Sequence, residues 1–197
     1  MNGTAVFQSP EALAAGLPEG TDFWVFGYGS LMWDPGFEFL ARSPALLRGY
    51  HRRFCIYSHR HRGTPERPGL VFGLDRGGAC RGIGFRIDRR QAPAVLAYLW
   101  QREMVSNVYQ PRLLPVRLES GAMATACTFV VDRRHPQYCG RLALATMAGL
   151  IRQAVGGRGP NLEYLVNTLE HLGTLGITDH GLTELLAAVQ SEEGRPS

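Results

Sequence analysis

The chain has 197 residues, 45% of them apolar and 19% charged, a balance that excludes wholly disordered and fibrous classes and suits one folded body. Its 21 basic and 17 acidic residues give a net charge of +4, too small an excess to specify nucleic acid. Every basic residue is arginine, which excludes the Walker lysine of a P-loop, a lysine Schiff base and a lysine general base.

Residues Met1 to Pro18 lack a basic segment followed by an apolar core, and Pro10 and Glu11 interrupt them, so no export signal is expected. Residues 1–20 are read as an N-terminal extension. Thr21 to Leu31, TDFWVFGYGSL, is an aromatic and β-branched run broken at Gly27 and Gly29, which predicts a short buried strand entering a tight loop. Tyr50 to Ser58, Leu70 to Leu74 and Gly82 to Ile87 are further strand candidates between Gly and Pro punctuation. Arg89 to Val105 predicts a helix, with Asp88 as its cap and Pro93 tolerated in the first turn. Two strands follow, Arg112 to Leu118 and Ala124 to Val131, joined at Glu119, Ser120 and Gly121.

Beyond His135 the period changes. Leu142 to Val155 and Leu162 to Leu172 carry apolar residues at helical spacing, with a break at Gly156, Gly157, Gly159 and Pro160 and Asn161 placed to cap the second helix. A last short helix, Leu182 to Val189, starts near Thr178 or Asp179 and is expected to pack at the edge, with the tail completing 179–197. Early strands and later helices suggest a single α+β body over 21–178. The longest weakly polar stretch, around Leu142 to Ile151, already contains Thr146 and falls short of the roughly 18 residues of a membrane span, so a soluble chain is expected. Cys55, Cys80, Cys127 and Cys139 have no metal-finger or CxxC spacing and are read as buried free thiols in a reducing, cytoplasmic setting.

The most informative acid is Glu103. At 100 degrees per residue from Leu96, Leu99, Trp100 and Glu103 fall at about 300, 40 and 340 degrees, which centres the carboxylate on the apolar face while Gln101 and Arg102 point elsewhere. A carboxylate so placed needs hydrogen bonds or a charge partner, or else a raised proton affinity, and that is how general bases are made. The plain alternative is a satisfied buried Glu bonded to a loop amide or an Arg. Gly27, Tyr28, Gly29, Ser30 and Leu31 follow the first strand, and successive amides there can form an anion-binding nest suited to a carboxylate. A tight turn without a ligand is the alternative, and the spacing is not GxGxxG.

Other signals are weaker. His59 and His61 could share a strand face near Cys55, but no third or fourth convergent ligand is evident, so no metal is expected. Arg52, Arg53, Arg60 and Arg62 lie among aromatics without a complete recognition motif, so no obligate nucleic-acid partner is expected. Arg52 and Arg53 fall on opposite strand faces, with Arg53 read as structural or pocket-supporting. Ser30 has no triad motif around it and suits recognition rather than nucleophilic attack.

FGYGSLMW at Phe26 to Trp33, GYHRRF at Gly49 to Phe54, HRGTPERPG at His61 to Gly69, LWQREM at Leu99 to Met104, RRHPQYCG at Arg133 to Gly140 and GRGPNLEYL at Gly157 to Leu165 closely resemble the ChaC family of gamma-glutamylcyclotransferases. The resemblance runs from about Val25 to Ile177. It implies a lyase that converts glutathione, as substrate partner, to 5-oxoproline and cysteinylglycine without ATP, metal or any other cofactor. It also implies a small mixed β-barrel or strongly curled sheet with packed helices. Tyr28, Gly29, Ser30 and Leu31 match the family's substrate-binding loop and Glu103 its catalytic acid, and the resemblance makes Tyr109 and Tyr138 substrate-pocket phenols. Either tyrosine could instead close the core. Where the family commonly has Gly two residues before the tyrosine matched by Tyr109, this chain has Asn107, which puts the local loop shape in question. Two alternatives stay open: action on other gamma-glutamyl amides, and a non-catalytic binding or regulatory protein using the same cleft.

Overall fold

A computed structural model describes residues 7–17, 20 and 22–191. Two compact units are present, one of Met1–Arg52 with Gly73–His135 and one of Arg53–Phe72 with Pro136–Ser197. Seven strands and five α-helices are formed by the described residues: α1 Pro10–Ala15, β1 Phe23–Gly27, β2 Ala41–Ser58, β3 Gly69–Ile87, α2 Ala92–Glu103, β4 Tyr109–Leu118, β5 Met123–Val131, α3 Leu144–Gln153, β6 Val155–Gly156, β7 Gly159–Pro160, α4 Asn161–Thr174 and α5 His180–Ser191. The barrel expected from the resemblance is present, closed in the order β1-β3-β2-β4-β5. The fold is α+β.

In the first unit, β1 runs antiparallel to β3, with Phe23 opposite Ile87 and Gly27 opposite Ile83, and parallel to β5, with Trp24 opposite Ala126. Its FWVFG sequence suits a strand paired on both sides, and Phe23, Val25 and Phe26 are buried with Phe85, Ile87, Cys127 and Phe129. The Thr128 hydroxyl, fully buried, donates to the Phe26 carbonyl at 3.0 Å, so its polar atom is satisfied in the core. β4 and β5 form the expected hairpin, in register from Tyr109 opposite Val131 to Arg117 opposite Met123.

The strands differ in extent from the sequence reading. Leu70 to Leu74 and Gly82 to Ile87 belong to one 19-residue strand, β3, which passes through Gly77 and Gly78 at φ of 103° and 68°. Glycine can hold those angles without breaking the pairing, and the Gly77 carbonyl still meets the His51 ring Nδ1 at 2.9 Å. β2 likewise begins at Ala41, ahead of the Gly49 that looked like its boundary. Asp88 accepts from the Arg90 N–H at 2.9 Å and starts a 3-10 turn, Arg89–Gln91, that leads into α2. Helix α2 buries Ala92, Val95, Leu96 and Leu99. Helix α1, within the expected N-terminal extension, is capped by the Ser9 hydroxyl, buries Leu13 and packs on α2.

In the second unit, α3, α4 and α5 pack on one another, and β6 with β7 makes a two-residue hairpin at the glycine break. Helix α5 is therefore an integral layer of that unit, with Leu185 and Val189 buried. Asp179 caps it through the Leu182 N–H at 3.2 Å, and Arg152 donates to the Ala188 and Val189 carbonyls at its other end. Asn161 does not cap α4, which has Pro160 at that position. Its buried amide instead accepts from the Leu70 N–H at 2.6 Å and donates to the Leu70 carbonyl at 2.8 Å, so one side chain serves as a hydrogen-bonding partner for β3.

Candidate active site

The predicted loop and the predicted acid belong to the first unit. At the end of β1 the chain turns back sharply: a Cβ on Gly27 would stand 3.0 Å from Leu31 Cβ and 3.3 Å from the Met32 nitrogen. Glycine suits that place because the turn lies against its own strand end and a Cβ would crowd it. Ser30–Met32 form a 3-10 turn, with the Met32 N–H on the Gly29 carbonyl and the Asp34 N–H on the Ser30 carbonyl, each at 2.9 Å. The opening amides of such a turn have no acceptor within it. Leu31 is buried and Ser30 partly exposed.

Two groups fix this turn. The Tyr28 phenol donates to the Phe129 carbonyl at 3.0 Å, and the Tyr28 carbonyl accepts from Arg52 Nη1 at 2.8 Å. Tyr28 is 7% exposed, so its ring is an anchor of the loop. Arg52 reaches Tyr28 from β2 and also donates to the Arg81 carbonyl at 3.2 Å. Carbonyl and N–H of a trans peptide point in opposite directions, so pinning the Tyr28 carbonyl also fixes the direction of the Gly29 N–H.

Glu103 is the last residue of α2, its side chain 18% exposed. That end of a helix carries the negative pole of the backbone dipoles and disfavours a carboxylate, so a compensating cation matters. Arg102 supplies it. Its Nε lies 3.4 Å from Glu103 Oε1, while Nη2 donates to Ser30 Oγ at 2.9 Å and Nη1 to the Tyr98 hydroxyl at 2.9 Å and the Asp34 carbonyl at 2.8 Å. One guanidinium thus joins the helical acid to the glycine turn. The sequence reading pointed Arg102 away from the apolar face; its side chain is 11% exposed, because the long stem folds back across the turn. No spacing rule could have paired residues 30 and 102.

Tyr109 opens β4, opposite Val131, and is partly buried. Asn107, two residues earlier, has φ of 56° and is the non-glycine residue in the left-handed region among those described. Asn tolerates that region better than other side chains, so the backbone keeps the conformation a glycine would give it. Tyr138 belongs to the second unit, where it forms an antiparallel bridge with Ile56. Arg53, also in that unit, donates to the Gly140 carbonyl at 2.8 Å.

His61 lies below its ordinary pKa, through burial first and then the charges of Arg158, Arg60 and Arg62. No cluster of three metal-ligating side chains occurs among the described residues. None of the four cysteines is in a disulfide, and burial pushes the Cys127 thiol up to about 12 and that of Cys139 up to about 11, far from the thiolate a nucleophile needs. No helix of the described residues is long and apolar enough to cross a membrane.

A barrel strand thus ends in a glycine turn that one arginine ties to a helical carboxylate. Residues 23–192 match the model of the ChaC-like protein family, and the chain belongs to it. The glutathione-specific gamma-glutamylcyclotransferase of Escherichia coli (strain K12) is 37% identical over 186 residues, covering 93% of this chain and 80% of that protein. Glutathione-specific gamma-glutamylcyclotransferase 1 of Homo sapiens is 31% identical over 172 residues, 84% of this chain and 78% of that one. The crystal structure of a gamma-glutamyl cyclotransferase specific to glutathione from yeast superposes with a TM-score of 0.78 at 26% identity, over 86% of this chain and 96% of its own.

Proposed function

We propose that this chain cleaves glutathione by closing its gamma-glutamyl group on itself, giving 5-oxoproline and cysteinylglycine. Relatives that carry this activity in their names match most of the chain, which supports the substrate class. The observation that carries the chemistry is the shared guanidinium, which keeps the Glu103 carboxylate beside the Ser30 turn.

In this reading the turn at Gly29, Ser30 and Leu31 binds the substrate's alpha-carboxylate through backbone N–H groups, with Tyr28 as its anchor. Glu103 takes a proton from the alpha-ammonium. The freed nitrogen attacks the gamma-carbonyl of the same molecule and a five-membered lactam closes. The protonated acid then gives the proton to the departing amide nitrogen, which is a poor leaving group without it. Both reactive ends belong to one bound molecule, so the site's main contribution is to hold the amine near the carbonyl. Tyr109, in the same unit as the turn and the acid, is proposed as a pocket phenol. The ring nitrogen sheds its second proton as the carbonyl re-forms, and the released amine takes one up to become the ammonium of cysteinylglycine, so protons and charge balance and the reading needs no ATP. We place the reaction in the cytoplasm, where reducing conditions keep thiols from oxidising, in keeping with four cysteines outside any disulfide.

The test is direct. Purified protein incubated with glutathione should release 5-oxoproline and cysteinylglycine in equal amounts, and Glu103→Gln should lower kcat by about 10²-fold to 10⁴-fold, the range of a lost general base. Absence of product from folded protein would reject the reading, and unchanged kcat in the variant would reject Glu103 as the base.

A further inference from the structure

Resting on that reading, we infer that Arg102 is a positioning residue whose guanidinium sets the distance between the Glu103 carboxylate and the Ser30 turn. All three of its nitrogens are committed: Nε to Glu103 at 3.4 Å, Nη2 to Ser30 Oγ at 2.9 Å, and Nη1 to the Tyr98 hydroxyl and the Asp34 carbonyl. An arginine at a helix end would ordinarily serve the last carbonyls of its own helix. Here the side-chain bonds run instead to a turn 72 positions away and to a hydroxyl one turn back.

The chemistry requires two things of this site that pull on different groups. The alpha-carboxylate has to sit on the turn, while the ammonium beside it, on the same carbon, has to face the acid. Anion donors and proton acceptor must therefore stand at a fixed separation. A planar fork that cannot lose its proton fixes such a separation, because its nitrogens hold set directions and its charge does not vary with pH. The carboxylate of Asp34, 3.8 Å from Nη1 and 71% exposed, is the other acid at the guanidinium and adds little to its hold. A lysine could meet Glu103 or Ser30, but a single ammonium could not hold both in the same geometry.

The experiment measures kcat and KM for glutathione in wild type, Arg102→Met, Arg102→Lys, Ser30→Ala and the Arg102→Met/Ser30→Ala double variant. Arg102→Met is expected to lower kcat about 100-fold, as for a misplacement of about an ångström between reacting groups, and to raise KM. Arg102→Lys should recover part of kcat by keeping a cation at Glu103, with KM still raised. Ser30→Ala alone should act mainly on KM, and its effect should shrink in the double variant, since both changes remove the same contact. Full wild-type activity in Arg102→Lys, or additive effects in the double variant, would overturn the inference. A structural role alone would lower the yield of folded enzyme without this split. Hydrogen exchange at the Met32 and Asp34 amides, read without substrate, tests the same point independently of turnover. It should speed up at least tenfold in Arg102→Met and Arg102→Lys, while the β5 amides keep their protection. Unchanged exchange at those two amides would overturn the inference even if wild type turned over no glutathione, whereas absent turnover with faster exchange would reject only the proposed activity. If Arg102→Met fails to fold, Arg102→Lys and Ser30→Ala carry both readouts.

Discussion

Asn107 sits in the left-handed region with φ of 56°, in the short segment that carries the chain from α2 to β4. Replacing it with Gly should leave thermal stability and turnover close to wild type. Asn107→Val should cost about 1–2 kcal/mol in denaturant unfolding, because a β-branched side chain clashes with its own backbone at that angle. The resemblance placed a departure from the family here, and an asparagine is among the side chains that best tolerate this φ. Arg52 acts at the same scale. Removing its bond to the Tyr28 carbonyl frees the Tyr28–Gly29 peptide to rotate, so Arg52→Met is expected to raise KM for glutathione about tenfold, the order of one charge-assisted hydrogen bond, with a smaller loss in kcat. Steady-state kinetics on folded variant checks this, and an unchanged KM would count against the role of that peptide.

At the level of elements, periodicity along the chain identified α2, α3, α4, α5 and the β4–β5 hairpin to within a few residues, because each buries one face at its own repeat. It could not join the two halves of β3, since a strand that crosses Gly77 and Gly78 looks like two strands and a turn until its neighbour is known. Nor could it assign Asn161, whose place before an apolar run fits a cap while its amide is spent on Leu70. Asn161→Leu should destabilise the protein by about 2–3 kcal/mol in chemical unfolding, as two buried backbone groups lose their partners. The glycines of the HRGTPERPG segment have a similar explanation in the second unit. A Cβ on Gly63 would lie 2.2 Å from the Gly69 nitrogen, and one on Gly156 would lie 2.4 Å from the Gly63 nitrogen. Three backbone segments touch there with no room for a side chain, so Gly156→Ala should be among the more disruptive single-carbon additions in that unit.

Across the whole molecule, the buried thiols set a pH limit. Cys127, fully buried, has its thiol raised from 9 to about 12, while an unfolded chain ionises it near 9. The unfolded state therefore releases a proton that the folded state keeps, and stability falls as pH rises above about 9, by up to about 1.4 kcal/mol per pH unit. Cys139 acts in the same direction. Urea unfolding between pH 8 and 11 should show this slope, and Cys127→Ala should flatten it while lowering the baseline through the cavity left behind.

The sequence alone determined the element types and the family, since each rests on side chains close together in the chain or on contiguous motifs. Only the tertiary structure decided between a closed barrel and a curled sheet, and only it showed that Arg102 joins Glu103 to Ser30. That contact spans 72 positions and exists only because β1, its turn and α2 are brought together by pairing and packing. Local periodicity records which face of an element is buried; what that face meets is fixed by the rest of the fold.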